Sequence, residues 1–280
     1  MKPYAAGWPI RPSVRCPHVD IDKRASNSYK EQPPVRVFSI LAFLKMAETA
    51  EAKTRLTADD VVISPVEEKD LISIARGYYA AFGPDWHKQM EPAPPILNVR
   101  IEKFAKRMKP WLSSPYGKWV KATLVGKPDV AIGHAGWLIP CSTHVPNHWR
   151  QDAAEKLGWA EKEGWTPEEQ VQLWSHVDLE AWQGVFLEAD DVREELMRNT
   201  PHWFLAPLWV LPEHQGRGVS SLLMKDVLEL ADAHNPSTPI YLEAMPEARP
   251  IYEHFGFIGV EGKPVQMIRR GPEKARDLAD

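Results

Sequence analysis

The stretch Val210-Leu211-Pro212-Glu213-His214-Gln215-Gly216-Arg217-Gly218-Val219-Ser220-Ser221-Leu222-Leu223 decides how this chain is understood. An apolar, aromatic run from Trp203 to Leu211 has the character of a strand and stops at Pro212. A short polar turn follows, with two glycines flanking Arg217, and then an amphipathic helix whose apolar face is Val219, Leu222, Leu223, Val227 and Leu230. Gly216 and Gly218 supply the positive φ values and the room that a loop needs to turn its amides toward one point. The start of the helix adds unsatisfied N–H groups and a partial positive charge, and Arg217 adds a mobile cation. Together they form a pocket for an anion such as pyrophosphate. The plainer reading of two glycines is an ordinary strand-to-helix turn.

The 280 residues, 44% hydrophobic and 26% charged, suit a globular chain with a sizeable core. A net charge of −4 argues against general affinity for nucleic acid or for an anionic membrane. Cys16 and Cys141 are too few for a disulfide framework or a four-cysteine zinc site. No apolar run reaches the roughly 18 residues of a membrane span. The expected location is cytoplasmic.

Residues 1–58 are expected to be an N-terminal extension, an arm over 1–35 followed by a helix over 37–56. The main domain spans 59–270, with 271–280 as a tail. Its expected elements are a strand at 61–65, helices at 67–81 and 101–112, and a strand pair at 118–125 and 130–139. A Trp-rich insertion at 141–200 carries Trp149, Trp159, Trp165, Trp174 and Trp182. Within it Thr166-Pro167-Glu168-Glu169 has the form of a helix start, and 185–197 is helical in pattern. After the glycine turn come a helix at 219–233, a strand at 239–244, a short helix at 247–254 and a last strand at 257–260.

Two known nucleotide motifs fit the glycine turn poorly. A P-loop would need Gly-Lys-Ser/Thr, which is absent. A Rossmann dinucleotide site is favoured by Gly216-x-Gly218 and by Glu243 at the end of the next strand. It is opposed by Ser221 where a third glycine belongs, and by the long connection from Leu211 to Gly216.

The pattern Val210-x-Pro212-x-x-Gln215-Gly216-Arg217-Gly218-Val219-Ser220 resembles the acetyl-CoA signature of the GNAT superfamily of N-acetyltransferases, Gln/Arg-x-x-Gly-x-Gly/Ala after a strand, with Ser220 in the last small position. Downstream, Ala248-x-x-Ile251-Tyr252-Glu253-His254-Phe255-Gly256-Phe257 resembles its second signature. The resemblance covers roughly residues 60–262. It implies an α/β (α+β) fold: a mixed, mostly antiparallel sheet with helices on both faces and splayed central strands. It implies acetyl-CoA as cosubstrate, with no metal, and transfer to a small-molecule or peptide amine by direct attack in a ternary complex. Leu208, Trp209 and Val210 would bind the pantetheine arm and the acetyl carbonyl. The amides from Gln215 through Gly216, Arg217, Gly218, Val219 and Ser220 to Ser221 would cradle the pyrophosphate. Tyr252 would protonate the departing thiolate. Met245 stands where family members often carry a cofactor-contacting Asn. Pro207 within the strand fits from first principles, since proline cannot donate to a ladder and marks an edge or a local break.

His202 and Glu243 are the candidate bases, with Asp190 and Glu188 behind them; each also has a plain structural reading, as does Tyr252 as a core tyrosine. His144 and His148 are four apart, a metal-like spacing on a helix, but Pro146 lies between them. Some insertion tryptophans would line an acceptor pocket if they are not all core. An acyl-CoA-binding regulatory module with little or no catalysis is the alternative function, with a Rossmann oxidoreductase behind it.

Overall fold

A computed structural model describes residues 54–272. The expected arm and nearly all of the helix expected over 37–56 lie outside the described residues; residues 54–56 are not helical. The strands are β1 (Val61–Pro65), β2 (Gly117–Leu124), β3 (Lys127–Leu138), β4 (Trp203–Val210), β5 (Ile240–Glu243), β6 (Ile258–Gly259) and β7 (Gln266–Arg269). They form one sheet in the order β1-β2-β3-β4-β5-β7-β6. Five of its six pairings are antiparallel, and β4 with β5 is the parallel one. This is the mixed, mostly antiparallel sheet expected from the sequence. It is incompatible with a doubly wound dinucleotide fold, whose sheet is mostly parallel.

The helices are α1 (Leu71–Ala81), α2 (Pro84–Met90), α3 (Leu97–Met108), α4 (Ala153–Lys156), α5 (Trp159–Lys162), α6 (Pro167–Trp174), α7 (Leu179–Met197), α8 (Val219–Asp232) and α9 (Arg249–His254). On one sheet face, Val219, Leu223, Met224, Val227 and Ala231 of α8 join a core with Val120, Ile132, Ala135, Leu205, Ile240 and Leu242. Strand periodicity sends the alternate residues Phe204, Trp209 and Tyr241 to the opposite face. There the Trp209 ring lies against Gly77 of α1. None of the described helices is long and apolar enough to cross a membrane.

Several boundaries differ from the sequence expectation. The α3 helix runs 97–108 rather than 101–112, because Pro110 turns the chain beyond Met108 into a 3-10 segment over Lys109–Ser113. The α7 helix begins at Leu179 rather than 185, since the Asp178 carboxylate accepts from the Ala181 amide at 3.0 Å and caps it there. The β2–β3 turn is tighter than expected, with β3 starting at Lys127; register shifts beside Thr123 accommodate Pro128. The last strand shrinks to two residues, and β7, which the sequence reading did not foresee, completes the sheet. Buried Gln266 and Arg269 disguised β7. Arg269 is satisfied by a two-point ion pair with Asp232, at 2.7 and 2.6 Å.

The insertion is an integral layer. Asp190 of α7, 2% exposed, accepts from Arg150 Nη1 at 2.9 Å, Arg193 Nη2 at 2.9 Å and the Asn147 amide at 2.8 Å. It thereby ties the loop after β3 to α7. Burial pushes its carboxyl up, but the nearby His144, the Arg193 charge, and hydrogen bonds from Arg150 and Asn147 outweigh that and hold it at about 2. Asp190→Asn leaves two buried guanidinium groups short of a charge partner and should lower stability by about 3–5 kcal/mol in urea unfolding at pH 7. The carboxylate's folded value lies below its unfolded one. Its contribution is therefore present at neutral pH, and the gap between wild type and variant should close as the pH falls from about 4 toward 2.

Candidate active site

The site starts where β4 and β5 part. They pair only at Trp203↔Ile240, Phe204↔Tyr241 and Leu205↔Leu242. Beyond Leu205, β4 keeps its partner on the other side, with Leu208 facing Ala135, Trp209 facing His134 and Val210 facing Gly133. Its edge toward β5 is left without a ladder. The parting coincides with a bulge. Trp137 faces Leu205 and Ala135 faces Leu208, so Ala206 and Pro207 together oppose Gly136. A Cβ on Gly136 would stand 3.0 Å from the Ala206 carbonyl oxygen and 3.1 Å from Pro207 Cδ, so this close approach needs glycine. Pro207 thus breaks the ladder locally, as its chemistry requires.

The open edge leads into the glycine turn. A 3-10 turn over Pro212–His214 follows Leu211. Gly216 and Gly218 then take φ values of +74° and +85°, the left-handed conformation that glycine tolerates best. The first internal helix bond runs from the Leu222 amide to the Gly218 carbonyl at 3.3 Å. The amides of Val219, Ser220 and Ser221 therefore precede the ladder and point out of the helix start. The Gln215 side chain donates to the Val210 carbonyl at 3.0 Å and fixes the turn to the end of β4.

Arg217 is not the mobile charge expected. Its Nε donates to the Thr54 carbonyl at 3.0 Å, and its Nη1 lies 3.2 Å from His214 Nδ1. Its own carbonyl accepts from the Leu56 amide at 2.8 Å. The segment 54–56 is thereby laid across the turn. Arg55, which the sequence reading passed over, crosses Gly218, its Nε 3.2 Å from where a Cβ would sit. No local signal marks Arg55, since it meets the turn from more than 150 residues away in sequence.

The remaining candidates fall in different places. Tyr252 of α9 is buried in the α8 core, 5.8 Å from the Phe257 ring, and burial pushes its phenol up to about 12. Glu243 ends β5, where the strands diverge, on the same face as Tyr241. Its Oε1 is buried without a hydrogen-bond partner among the described residues. Burial raises the Glu243 carboxyl to about 7, against the opposing effects of the neighbouring Tyr241 hydroxyl and the Arg193 charge. His202 precedes β4 at the end away from the glycine turn, its ring 6.3 Å from that of Tyr241 and its Nδ1 2.7 Å from the Thr200 carbonyl. Burial lowers it to about 4, so it is neutral at pH 7. Asp190 is committed to its two arginines, and Glu188 is exposed. His144 lies 3.8 Å from Asp190, whereas His148 packs between Trp111 and Trp119, so the two histidines do not converge. Met245 is 67% exposed.

Residues 168–267 match the family model described as acetyltransferase (GNAT) domain. An uncharacterized N-acetyltransferase of Schizosaccharomyces pombe is 36% identical over 96 residues, which span 31% of this chain and 37% of the relative. The chain therefore aligns with little more than a third of that protein's length. Among solved structures, a histone acetyltransferase HPA2 and related acetyltransferase from Corynebacterium glutamicum matches 76% of this chain and 97% of its own, at 17% identity and a TM-score of 0.44. A GNAT family acetyltransferase from Brucella melitensis, solved with acetyl-CoA, matches 75% and 87%, at 14% identity and a TM-score of 0.36. The likeness to the GNAT superfamily of acetyltransferases thus lies in residues 168–267, about a third of the chain. The match begins inside the segment that the sequence reading set apart as an insertion.

The raised carboxyl of Glu243 gives a direct check. Infrared spectra of the wild type should show a protonated carboxylic acid band that fades between about pH 6 and 8, and Glu243→Gln should lack that transition.

Proposed function

We propose that the chain transfers an acetyl group from acetyl-CoA to an amine by direct attack in a ternary complex. The observation that carries this reading is the unladdered edge of β4 running into a turn with two positive-φ glycines. The turn suits the cofactor, because first-turn amides and the helix dipole favour an anion such as pyrophosphate there. Leu208, Trp209 and Val210 offer main-chain groups to the amide-bearing pantetheine arm. A backbone amide near Val210 polarises the thioester carbonyl.

The acceptor nitrogen must be neutral to attack. Glu243 is the better placed base: it sits where the strands diverge, and a carboxyl near 7 can take a proton at neutral pH. His202 stands at the far end of β4. The neutral nitrogen bonds to the acetyl carbon and gives up a proton to Glu243, the C–S bond breaks, and the thiolate takes a proton from Tyr252, whose buried phenol is fully protonated at pH 7. Solvent then moves the proton from Glu243 back to Tyr252. The acceptor is a small-molecule or peptide amine.

Isothermal titration with acetyl-CoA, followed by turnover on an amine panel, tests the reading. No binding at millimolar cofactor would sink it, and binding without transfer to any amine would favour the regulatory module. Tyr252→Phe should lower kcat by about 10- to 100-fold with little change in cofactor KM. Arg55→Gln should weaken CoA and dephospho-CoA alike, by about fivefold, if Arg55 faces the pyrophosphate; an unchanged Kd would remove it from the site.

A further inference from the structure

Tyr241 and Glu243 alternate along β5 onto the sheet face opposite α8. Tyr241 is fully buried, its ring 5.5 Å from that of Phe204 and 6.3 Å from that of His202. Its hydroxyl makes no hydrogen bond among the described residues, and Glu243 Oε1, next along the same face, makes none either. Two buried polar atoms left vacant side by side are costly unless they serve each other or a bound group.

The other groups around Glu243 are less suited to it. Across the sheet it faces Gln266 of β7, whose own buried Oε1 is vacant and can only accept. From the start of β4, His202 donates through Nδ1 to the Thr200 carbonyl, which leaves Nε2 as an acceptor. From α7, Arg193 has a vacant Nε, but its guanidinium is held in place by Asp190, the Val145 carbonyl and the Phe204 ring, and Asp190 answers its charge. The phenolic hydrogen of Tyr241, by contrast, turns freely about its C–O bond. Burial pushes the Glu243 carboxyl up, and the neighbouring hydroxyl is the strongest influence against it, ahead of the Arg193 charge. A donor beside a carboxyl favours the ionised form, which accepts far better than the neutral acid.

We propose that Tyr241 is a positioning residue for Glu243: its hydroxyl turns onto Oε1 when the carboxylate forms and holds that oxygen where β4 and β5 part. This role in catalysis rests on the reading of Glu243 as the base.

Tyr241→Phe keeps the ring and removes the hydroxyl. Infrared titration, with Glu243→Gln marking the band, reads the carboxyl without cofactor or acceptor. The midpoint should rise by about one to two pH units, the worth of a hydrogen bond to a charged group. In turnover the acid limb of kcat/KM for the amine should move up with it. Activity should be about tenfold lower at pH 7 and close to wild type by about pH 9.5, with the KM for acetyl-CoA unchanged. A merely structural loss would lower activity evenly across pH. The full chain grown with 3-fluorotyrosine, whose phenols donate more strongly, should shift the midpoint downward. That measurement needs no substitution, so it stands even if Tyr241→Phe fails to fold. A midpoint that Tyr241→Phe leaves in place or lowers would overturn the proposal, as would a fluorotyrosine midpoint that does not fall. A midpoint that rises in Tyr241→Phe, in a chain that acetylates no amine, would support the contact and sink the transfer reading alone.

Discussion

The parallel pairing of β4 with β5 lasts for three residues, and the site depends on where it stops. A fourth pair would begin to use up the main-chain groups of β4 that face the gap. The bulge prevents this by spending two residues of β4 against one of β3, which bends the strand as its ladder toward β5 ends. Pro207 removes a donor at that place, and Gly136 leaves room for the bend. A covalent constraint on one strand and a missing side chain on the next thus set the position of the open edge. The glycine turn is then held to that edge by Gln215, and α8 anchors its amides through the core.

The opposite face of the sheet works by different physics. Apolar packing dominates beneath α8, whereas the α1, α3 and α7 side buries rings and charges together. Asp190 pairs with two arginines there, and Glu243 is left as a carboxyl that burial keeps partly protonated. Neighbouring carboxylates thus acquire opposite character. Asp190 has enough donors to stay ionised through any ordinary pH, while Glu243 has too few and can exchange a proton near neutrality.

What was legible in the sequence was local. The run of apolar residues into Pro212, the two glycines and the periodic face of α8 each report on their own few residues, and the φ values at Gly216 and Gly218 are those the turn required. The class of sheet was legible through the paired motifs. Contacts made across long stretches of chain were hidden: the segment 54–56 over Gly218, the pinning of Arg217, and the burial of Arg107. Strand β7 was hidden because its buried Gln266 and Arg269 look like surface residues until Asp232 is placed beside the arginine. The tryptophans of the 141–200 segment announced burial, yet nothing in their spacing showed that Trp174 and Trp182 would pack on the Arg107 guanidinium.

The stretch that matches the family model begins at residue 168, after β1, β2 and β3 have been laid down. Those three strands make up one side of the sheet, and β3 covers the whole flank of β4 that faces away from the gap. A chain cut at the start of the matched stretch would present β4 with a bare, apolar edge along its length beside the gap it already carries. Such an edge is a template for strand addition by another copy. The unmatched half of the sheet is therefore what lets one strand remain open on a single side without becoming a point of aggregation.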